Sequence, residues 1–414
     1  MLTCRLKPIL TLDKPRKKDF PVLQSQPELT YLDSAATTLL PQVVINAQQA
    51  WYEKKHAPIH RSIYQLAVTA TEKYEAVREK IERFVQAASS SEIIFTHNAT
   101  EGLNLVAFLE EQRLQKNDEI ILSYAEHHSN MLPWQRVAQR TGAKIIWLPA
   151  HEDGYFPLKA LEKTLSAKTR LVTVSHVSNV LGYIAPLKEI STLVRSLNAR
   201  LVVDAAQSIP VTSIDVRDVD YAVFSGHKLY APEGTGFVYA RSELLENIEP
   251  LLVGGGAIAQ VTPEKTTWAT NPHRFEAGSP HSAGVIGLGA ALGYLELMGL
   301  AKIQQHLQDL TTYGLEKLSE IEQLTLYGPT TAKNRAPIFS FSIKVGNKNL
   351  HSHDICQLAD AEGVALRGGH HCAQPLMEAL GVTDLTRASC GIYTTKQDID
   401  HLVDALWTSI EKLS

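Results

Sequence analysis

The sequence predicts an α/β protein in which a large domain, built on a seven-stranded and mostly parallel sheet, is followed by a smaller α+β domain. Three observations carry that expectation. Strand-like apolar runs alternate with helix-period stretches from about residue 71 to residue 240. Most of those runs are apolar at every position, as strands covered on both faces are. After Gly287 the alternation stops, giving way to a long helical stretch and then a short mixed segment.

The seven strand candidates, in order, are EIIFT from Glu92, EIILS from Glu119, AKIIWLP from Ala143, RLVTVS from Arg170, RLVVD from Arg200, YAVFS from Tyr221 and GFVYA from Gly236. Ahead of them, residues 71–87 place Tyr74, Val77, Ile81, Phe84 and Val85 on one helical face, which marks a core stripe. The stretch LGAALGYLELMGLAKIQQHLQDL reads as a helix running to the region of Ile321. Beyond it come a strand over Ile338 to Val345, a helix from Asp354 to Ala361 ended by Gly363, and a last helix from Lys396. Thr395 and Asp398 have the spacing of a capping pair for that helix, whose stripe is Ile399, Leu402, Val403, Leu406, Trp407 and Ile410. The expected division is an N-terminal segment over 1–30 that packs with the small domain, a large domain over 31–290 and a small domain over 291–414.

Composition narrows the function classes. The 414 residues are 44% apolar and 20% charged, which suits a folded globular chain and not a disordered one. Forty basic and 44 acidic side chains leave a net charge of −4, so no general field attracts nucleic acid. No apolar run approaches the roughly 18 residues that cross a bilayer, and no membrane role is expected. The basic N-terminus lacks the apolar stretch of an export signal. Four cysteines without a C-x-x-C pair suit free thiols in a reducing compartment, so a cytoplasmic location is expected.

In parallel sheets ligands bind beyond the carboxyl ends of the strands. EIIFT runs into Asn98 and Thr100 at a strand-to-helix turn, where free amides and the helix dipole favour an anion such as phosphate. LVVDAAQ ends an apolar strand on Asp204, with Gln207 three residues on, and a buried carboxylate there calls for a cationic partner. YAVFSGHKLY sets Ser225, His227 and Lys228 beyond the next strand. Singly, these residues have plainer readings: a helix cap for Asp204 or Asn98, a solvated lysine for Lys228. Together, a buried acid and a lysine on consecutive strand ends suit a pyridoxal phosphate (PLP) site, the lysine holding the aldehyde and the acid keeping the pyridine nitrogen protonated.

The motifs HRSIYQLA, NATEGLNLVA, EHHSNMLPWQ, SHVSNVLG, VDAAQS, FSGHKLY, VGGG, RFEAGSP, RGGHHCAQP and RASCGIY, in this order, resemble the class V aminotransferase family within the fold type I PLP enzymes. The likeness is nearest to SUF-type cysteine desulfurases, which also act as selenocysteine lyases. It implies that Lys228 holds the PLP aldehyde, Asp204 the ring nitrogen and Gln207 the ring hydroxyl, and that His127 stacks on the ring face. Thr100, Ser225 and His227 are implied phosphate ligands. Ser279 stands where the family usually has Thr and is expected to reach the phosphate of a neighbouring subunit in a homodimer. Asn179 and Arg387 look like a clamp for the substrate carboxylate. Departures from the commoner pattern are Ser279 itself, Ala99 before Thr100, and Ser62 and Tyr64 in HRSIYQ; Arg61 in that segment is either a surface charge or an active-site visitor.

The segment RGGHHCAQP separates the chemistries that share this cofactor. A desulfurase needs a thiolate to attack the sulfur of L-cysteine, and Cys372 is the candidate, with His370, His371 and Arg367 expected to favour its thiolate. The implied products are L-alanine and a persulfide on Cys372, which passes to a sulfur-acceptor carrier protein for iron–sulfur cluster assembly. The alternative is another class V PLP enzyme such as a cysteine or cystine C–S lyase; a catalytically silent scaffold is the reading from a different class. No metal site is expected, since His351, His353, His370, His371 and Cys372 lack ligand spacing. Cys4, Cys356 and Cys390 read as packing residues, and Gly254 to Gly256 resemble the family's loop at the active-site entrance.

Overall fold

All seven apolar runs form strands of one sheet, each starting within a residue of its predicted position: β1 (Ile93–Thr96), β2 (Glu119–Ser123), β3 (Lys144–Leu148), β4 (Thr169–Ser175), β5 (Arg200–Asp204), β6 (Tyr221–Ser225) and β7 (Gly236–Ala240). The computed structural model describes residues 16–150 and 154–413. Cys4 and the first part of the segment 1–30 lie outside the described residues. The strand order is β1-β7-β6-β5-β4-β2-β3. Neighbours from β2 to β6 pair in parallel, while β7 runs antiparallel to both β1 and β6. The reversal follows from the connection: only a turn of 3-10 helix over Gly226–Lys228 and a loop join β6 to β7, too little for the helical crossover that a parallel neighbour requires.

The predicted stripe occupies the C-terminal part of a longer helix, Gln65–Val85, with Tyr74, Val77, Ile81 and Val85 buried. Arg78 lies on that face too, 1% exposed. Burying a guanidinium without partners is prohibitive, and Arg78 has them: it donates to Glu75 at 2.8 Å, to Glu276 at 2.6 Å and 2.9 Å, and to the Ile93 carbonyl at 2.8 Å. Glu276 also accepts the Phe95 amide at 2.7 Å, so the pair engages an outward-facing carbonyl and an outward-facing amide of the edge strand β1.

The long stretch after residue 281 is two helices, not one: Ser282–Met298 and Leu300–Ser319 meet at a bend of 78°. Gly299 sits between them at φ 87°, a left-handed conformation that only glycine adopts at little cost. Position 290 falls inside the first of these helices. No single helix among the described residues is long and apolar enough to cross a membrane.

A second sheet comprises β8 (Leu324–Tyr327), β9 (Ile338–Val345), β10 (Arg367–Gly369) and β11 (Leu385–Ser389), in the antiparallel order β8-β9-β11-β10. The helix Ser352–Ala361 covers it, and Gly363 at φ 82° follows. Thr395 and Asp398 cap the helix Lys396–Leu413 reciprocally: the Thr395 amide donates to the Asp398 carboxylate at 2.8 Å and the Asp398 amide to the Thr395 hydroxyl at 3.1 Å. The N-terminal segment meets this part of the molecule through Lys17 and Asp398 at 2.5 Å, and through Thr30 and Tyr31, which pair with Val364 and Ala365. Its Phe20 ring packs edge-on against Tyr393.

The helix Ala99–Glu111 rests on β6 and β7 through Gly102, where a Cβ would come within 2.5 Å of Val223 and 2.8 Å of Val238. Gly→Ala ordinarily strengthens a helix. Here Gly102→Ala is expected to destabilise the protein by about 1–3 kcal/mol through overpacking, seen as a lower urea midpoint; an unchanged or raised midpoint would contradict this packing.

Candidate active site

The carboxyl ends of β1, β2, β4, β5 and β6 open on one cavity of about 330 Å³, whose far wall is made by β10, β11 and the loop that follows β10. The predicted cofactor, substrate and nucleophile residues line it except Ser279, whereas His370 and Arg61 do not. Ser279 is exposed and lies in a different surface pocket, with Leu252, Phe275 and His281.

Asp204 is the last residue of β5 and is 6% exposed; one of its oxygens accepts the Ala206 amide at 2.9 Å. Burial raises its pKa, and the Lys228 charge opposes that rise. The expected cationic partner is therefore near but not in contact, because no ion pair joins Asp204 to Lys228. Lys228 stands in the 3-10 turn after β6, and its amine makes no hydrogen bond among the described residues. Burial lowers its pKa to about 8, against the attraction of Asp204 and with help from Arg387 and Arg367. A desolvated amine in a cationic setting is a nucleophile close to neutrality.

His127 begins the turn after β2. Its Nδ1 accepts the Ser129 amide at 3.0 Å, and burial with the nearby Lys228 charge drives its pKa down to about 3. The ring is neutral, with its proton on Nε2. Asn98 caps the helix Ala99–Glu111 by accepting the Glu101 amide at 2.9 Å, which leaves Thr100 in the first turn to line the cavity. The Thr100 hydroxyl is 2.8 Å from that of Ser129. Ser225 is buried at the end of β6 and its hydroxyl has no partner among the described residues. His227 lies 3.1 Å from the Thr37 hydroxyl, its pKa lowered to about 4 by burial and by Lys228. Gln207 donates to the Ala35 carbonyl at 2.6 Å.

From the second sheet, β11 contributes Arg387, 2% exposed. It donates to Asp33 and to the Asn179 carbonyl, each at 3.0 Å, while its buried Nε has no partner. The Asn179 side chain is itself occupied, donating to the His371 carbonyl at 2.8 Å. Arg367 is exposed at the start of β10. Cys372 is half-buried and follows His371; both have positive φ, 52° and 57°. Two consecutive non-glycine residues in that region cost about 1–3 kcal/mol each and persist only where the surroundings impose them.

The His371 imidazole does not play the part expected of it. His371 bonds the Leu385 carbonyl at 2.9 Å, and burial drives its pKa to about 3, so it is a neutral packing group. Lys228 and Arg387 both lie within electrostatic reach of Cys372. Cys390 is buried beside β11 and Cys356 half-buried in its helix, where burial raises the thiol to about 12. Sequence reasoning passed over Ser175, although it ends β4 and the strand-end rule points to it; it lines the cavity in register with Asp204. It also passed over Glu126, fully buried, which accepts from Ser175 at 2.6 Å and Asn130 at 2.7 Å and fastens the His127 turn to β4. His60, Glu75 and His273 form a trio of metal-ligating types, but both Glu75 oxygens already accept from Arg78 and one from His60.

The donor set fits PLP: a buried acid for the pyridine nitrogen, a partnerless amine for the aldehyde, an imidazole for a ring face, and hydroxyls at a helix start for the phosphate. Such a constellation at the ends of a parallel sheet defines an enzyme that works through a bound aldehyde cofactor. The chain belongs to the aminotransferase class-V family, whose model matches residues 30–402. It is 45% identical over 396 residues to a probable cysteine desulfurase of Halalkalibacterium halodurans, covering 94% of this chain and 96% of that one. Among solved structures it is similar to the apo cysteine desulfurase of Thermococcus onnurineus NA1, with a TM-score of 0.91, 35% identity and coverage of 97% and 100%. It is also similar to C-DES, solved as a mutant with glycine covalently linked to its PLP cofactor, at TM-score 0.82 and 26% identity, with coverage of 95% and 99%.

In cofactor-free protein, capture of an aldehyde by Lys228 should rise with pH through a midpoint near 8, because only the neutral amine attacks. Borohydride trapping across a pH series, read by mass spectrometry, measures it; a midpoint near about 10.4, that of an ordinary lysine, would overturn the assignment.

Proposed function

We propose that this chain is a PLP-dependent cysteine desulfurase that converts L-cysteine to L-alanine and leaves the sulfur as a persulfide on Cys372. One observation carries the reading: the thiol of Cys372 lines the same cavity as Lys228 and Asp204. Cofactor machinery alone suits many reactions, whereas a cysteine across the cavity from the lysine suits sulfur capture.

Lys228 is the amine that holds the cofactor's aldehyde, and when free it is the base for the substrate's Cα proton, a task its lowered pKa suits. Asp204 keeps the pyridine nitrogen protonated, and Gln207 faces the ring hydroxyl. When bound, the cofactor takes up the electron pairs released as the Cα–H and Cβ–S bonds of the substrate are broken. His127, neutral with Nε2 as donor, covers a ring face and is placed to return a proton. Thr100, Ser225 and His227 receive the phosphate. Arg387 receives the substrate carboxylate with its unpartnered Nε, Asn179 stands beside it, and Arg367 adds positive charge at the rim. The Cys372 sulfur attacks the substrate's sulfur as a thiolate, so that an S–S bond forms as the Cβ–S bond breaks.

The persulfide then passes to a carrier protein for iron–sulfur cluster assembly; partial exposure of Cys372 supports hand-over to a macromolecule. A homodimer is part of the same reading. Ser279 does not reach its own cavity, and exposed Leu252 shares its pocket. The cytoplasm is the compartment in which these thiols stay reduced. Selenocysteine lyase activity also belongs to the proposal, because selenium leaves carbon more readily than sulfur does and needs no attacking thiol.

Mass spectrometry after incubation with L-cysteine should locate added sulfur on Cys372. Cys372→Ala should keep the cofactor absorbance but lose alanine formation from cysteine by ~10²-fold or more, as expected when a covalent nucleophile is removed. Full turnover by that variant would favour a direct C–S lyase. The same variant should still release selenium from selenocysteine. Lys228→Ala should abolish the borohydride-sensitive yellow colour of the purified protein, and a wild-type protein without that colour would point to a silent scaffold.

A further inference from the structure

His127 has a place in the reading above, but its neighbour His128 does not. The turn that carries both is anchored firmly: Asn130 donates to Glu126 at 2.7 Å, and its own carbonyl oxygen accepts from Trp134 at 3.1 Å and from Thr173 on β4 at 2.7 Å. From this fixed base His128 reaches the segment that bears Cys372 at two points. Its main-chain amide donates to the Cys372 carbonyl at 2.7 Å. Its Nε2 lies 3.2 Å from the Gln374 amide, and since that amide can only donate, Nε2 is the acceptor and the imidazole is neutral. Burial and the nearby His370 lower the pKa of His128, which keeps that lone pair available. Gln374 opens the short helix Gln374–Ala379, and the residue before it, Ala373, has no side chain to cap it. The imidazole supplies the missing acceptor.

The two attachment points bracket Ala373 at the start of that helix, and the strained backbone of His371 and Cys372 leads directly into the first of them. On the other side, Asn179 holds only the His371 carbonyl. We propose that His128 is a positioning residue, whose imidazole, by capping Gln374, holds the Cys372 loop in its strained form with the thiol in the cavity. The proposal rests on the reading of Cys372 as the sulfur nucleophile. His128 does not line the cavity and is not a ligand of the cofactor or the substrate.

The test uses the holoenzyme with His128→Ala, His128→Asn and His128→Gln. Gln places an amide oxygen about where Nε2 lies and keeps an acceptor for Gln374; Asn reaches only to the Nδ1 position. For Ala and Asn, kcat for alanine formation should fall about tenfold or more with KM little changed, since misplacing the thiol affects the attack and not substrate binding. Cofactor absorbance should be unchanged. Alkylation of Cys372 by iodoacetamide without substrate, located by mass spectrometry, should change severalfold, with Cys356 as an internal control. Gln should restore both rate and alkylation to near wild type. Wild-type behaviour of Ala and Asn would overturn the proposal, as would equal impairment of all three variants. If only one of Ala and Asn folds, that variant against Gln decides the matter. Should the wild type make no alanine from cysteine, the desulfurase reading falls, and the alkylation contrast, which needs no turnover, decides on His128 alone.

Discussion

An acid and an amine that share one buried cavity without touching are the constraint on which this molecule turns. In a low-dielectric site Asp204 and Lys228 attract each other, and direct contact would satisfy both. The fold prevents it by placing Asp204 as the last residue of β5 and Lys228 in the tight turn after β6. The result is a gap with an anion on one wall and an amine on another, able to take a molecule that needs both. Burial shifts both groups toward their neutral forms, and their mutual attraction only partly reverses this.

The second sheet completes the site through Arg387. This side chain leaves β11 and joins three parts of the chain at one guanidinium: Asp33 from the N-terminal stretch, the Asn179 carbonyl after β4, and the cavity itself. Asn179 in turn grips the carbonyl of His371. The side chain best suited to meet a substrate's carboxylate is thus also a rivet between the two sheets, and the loop bearing Cys372 is registered against that rivet.

The sheet was legible because its strands are apolar on both faces, a pattern that a buried parallel sheet produces and a surface helix does not. The cavity's lining was legible for a related reason: an Asp or a Lys at the end of one such strand has a plain explanation, but the two together on consecutive strand ends point to one shared cavity. Other features were not legible, because they depend on partners distant in sequence. Nothing near Arg78 reveals Glu276. Gly299 was hidden within an apolar run whose composition suits a helix on either side of the bend. His371 looked like a source of charge because it adjoins Cys372, whereas its ring is turned to the Leu385 carbonyl. Glu126 was passed over since adjacency to two histidines drew attention to them, and its burial is set by β4.

The Arg78–Glu276 pair has a further consequence for how copies of this protein behave at high concentration. Strand β1 lies at the rim of the large sheet, and a rim strand ordinarily offers open amides and carbonyls to any extended chain that drifts alongside. Here the Phe95 amide is consumed by Glu276 and the Ile93 carbonyl by Arg78, with both charged groups closed over the strand's flank. A stray strand would have to break a buried ion pair before it could zip on. The pair thus works as a guard against aggregation at one of the two rims of a sheet of apolar strands.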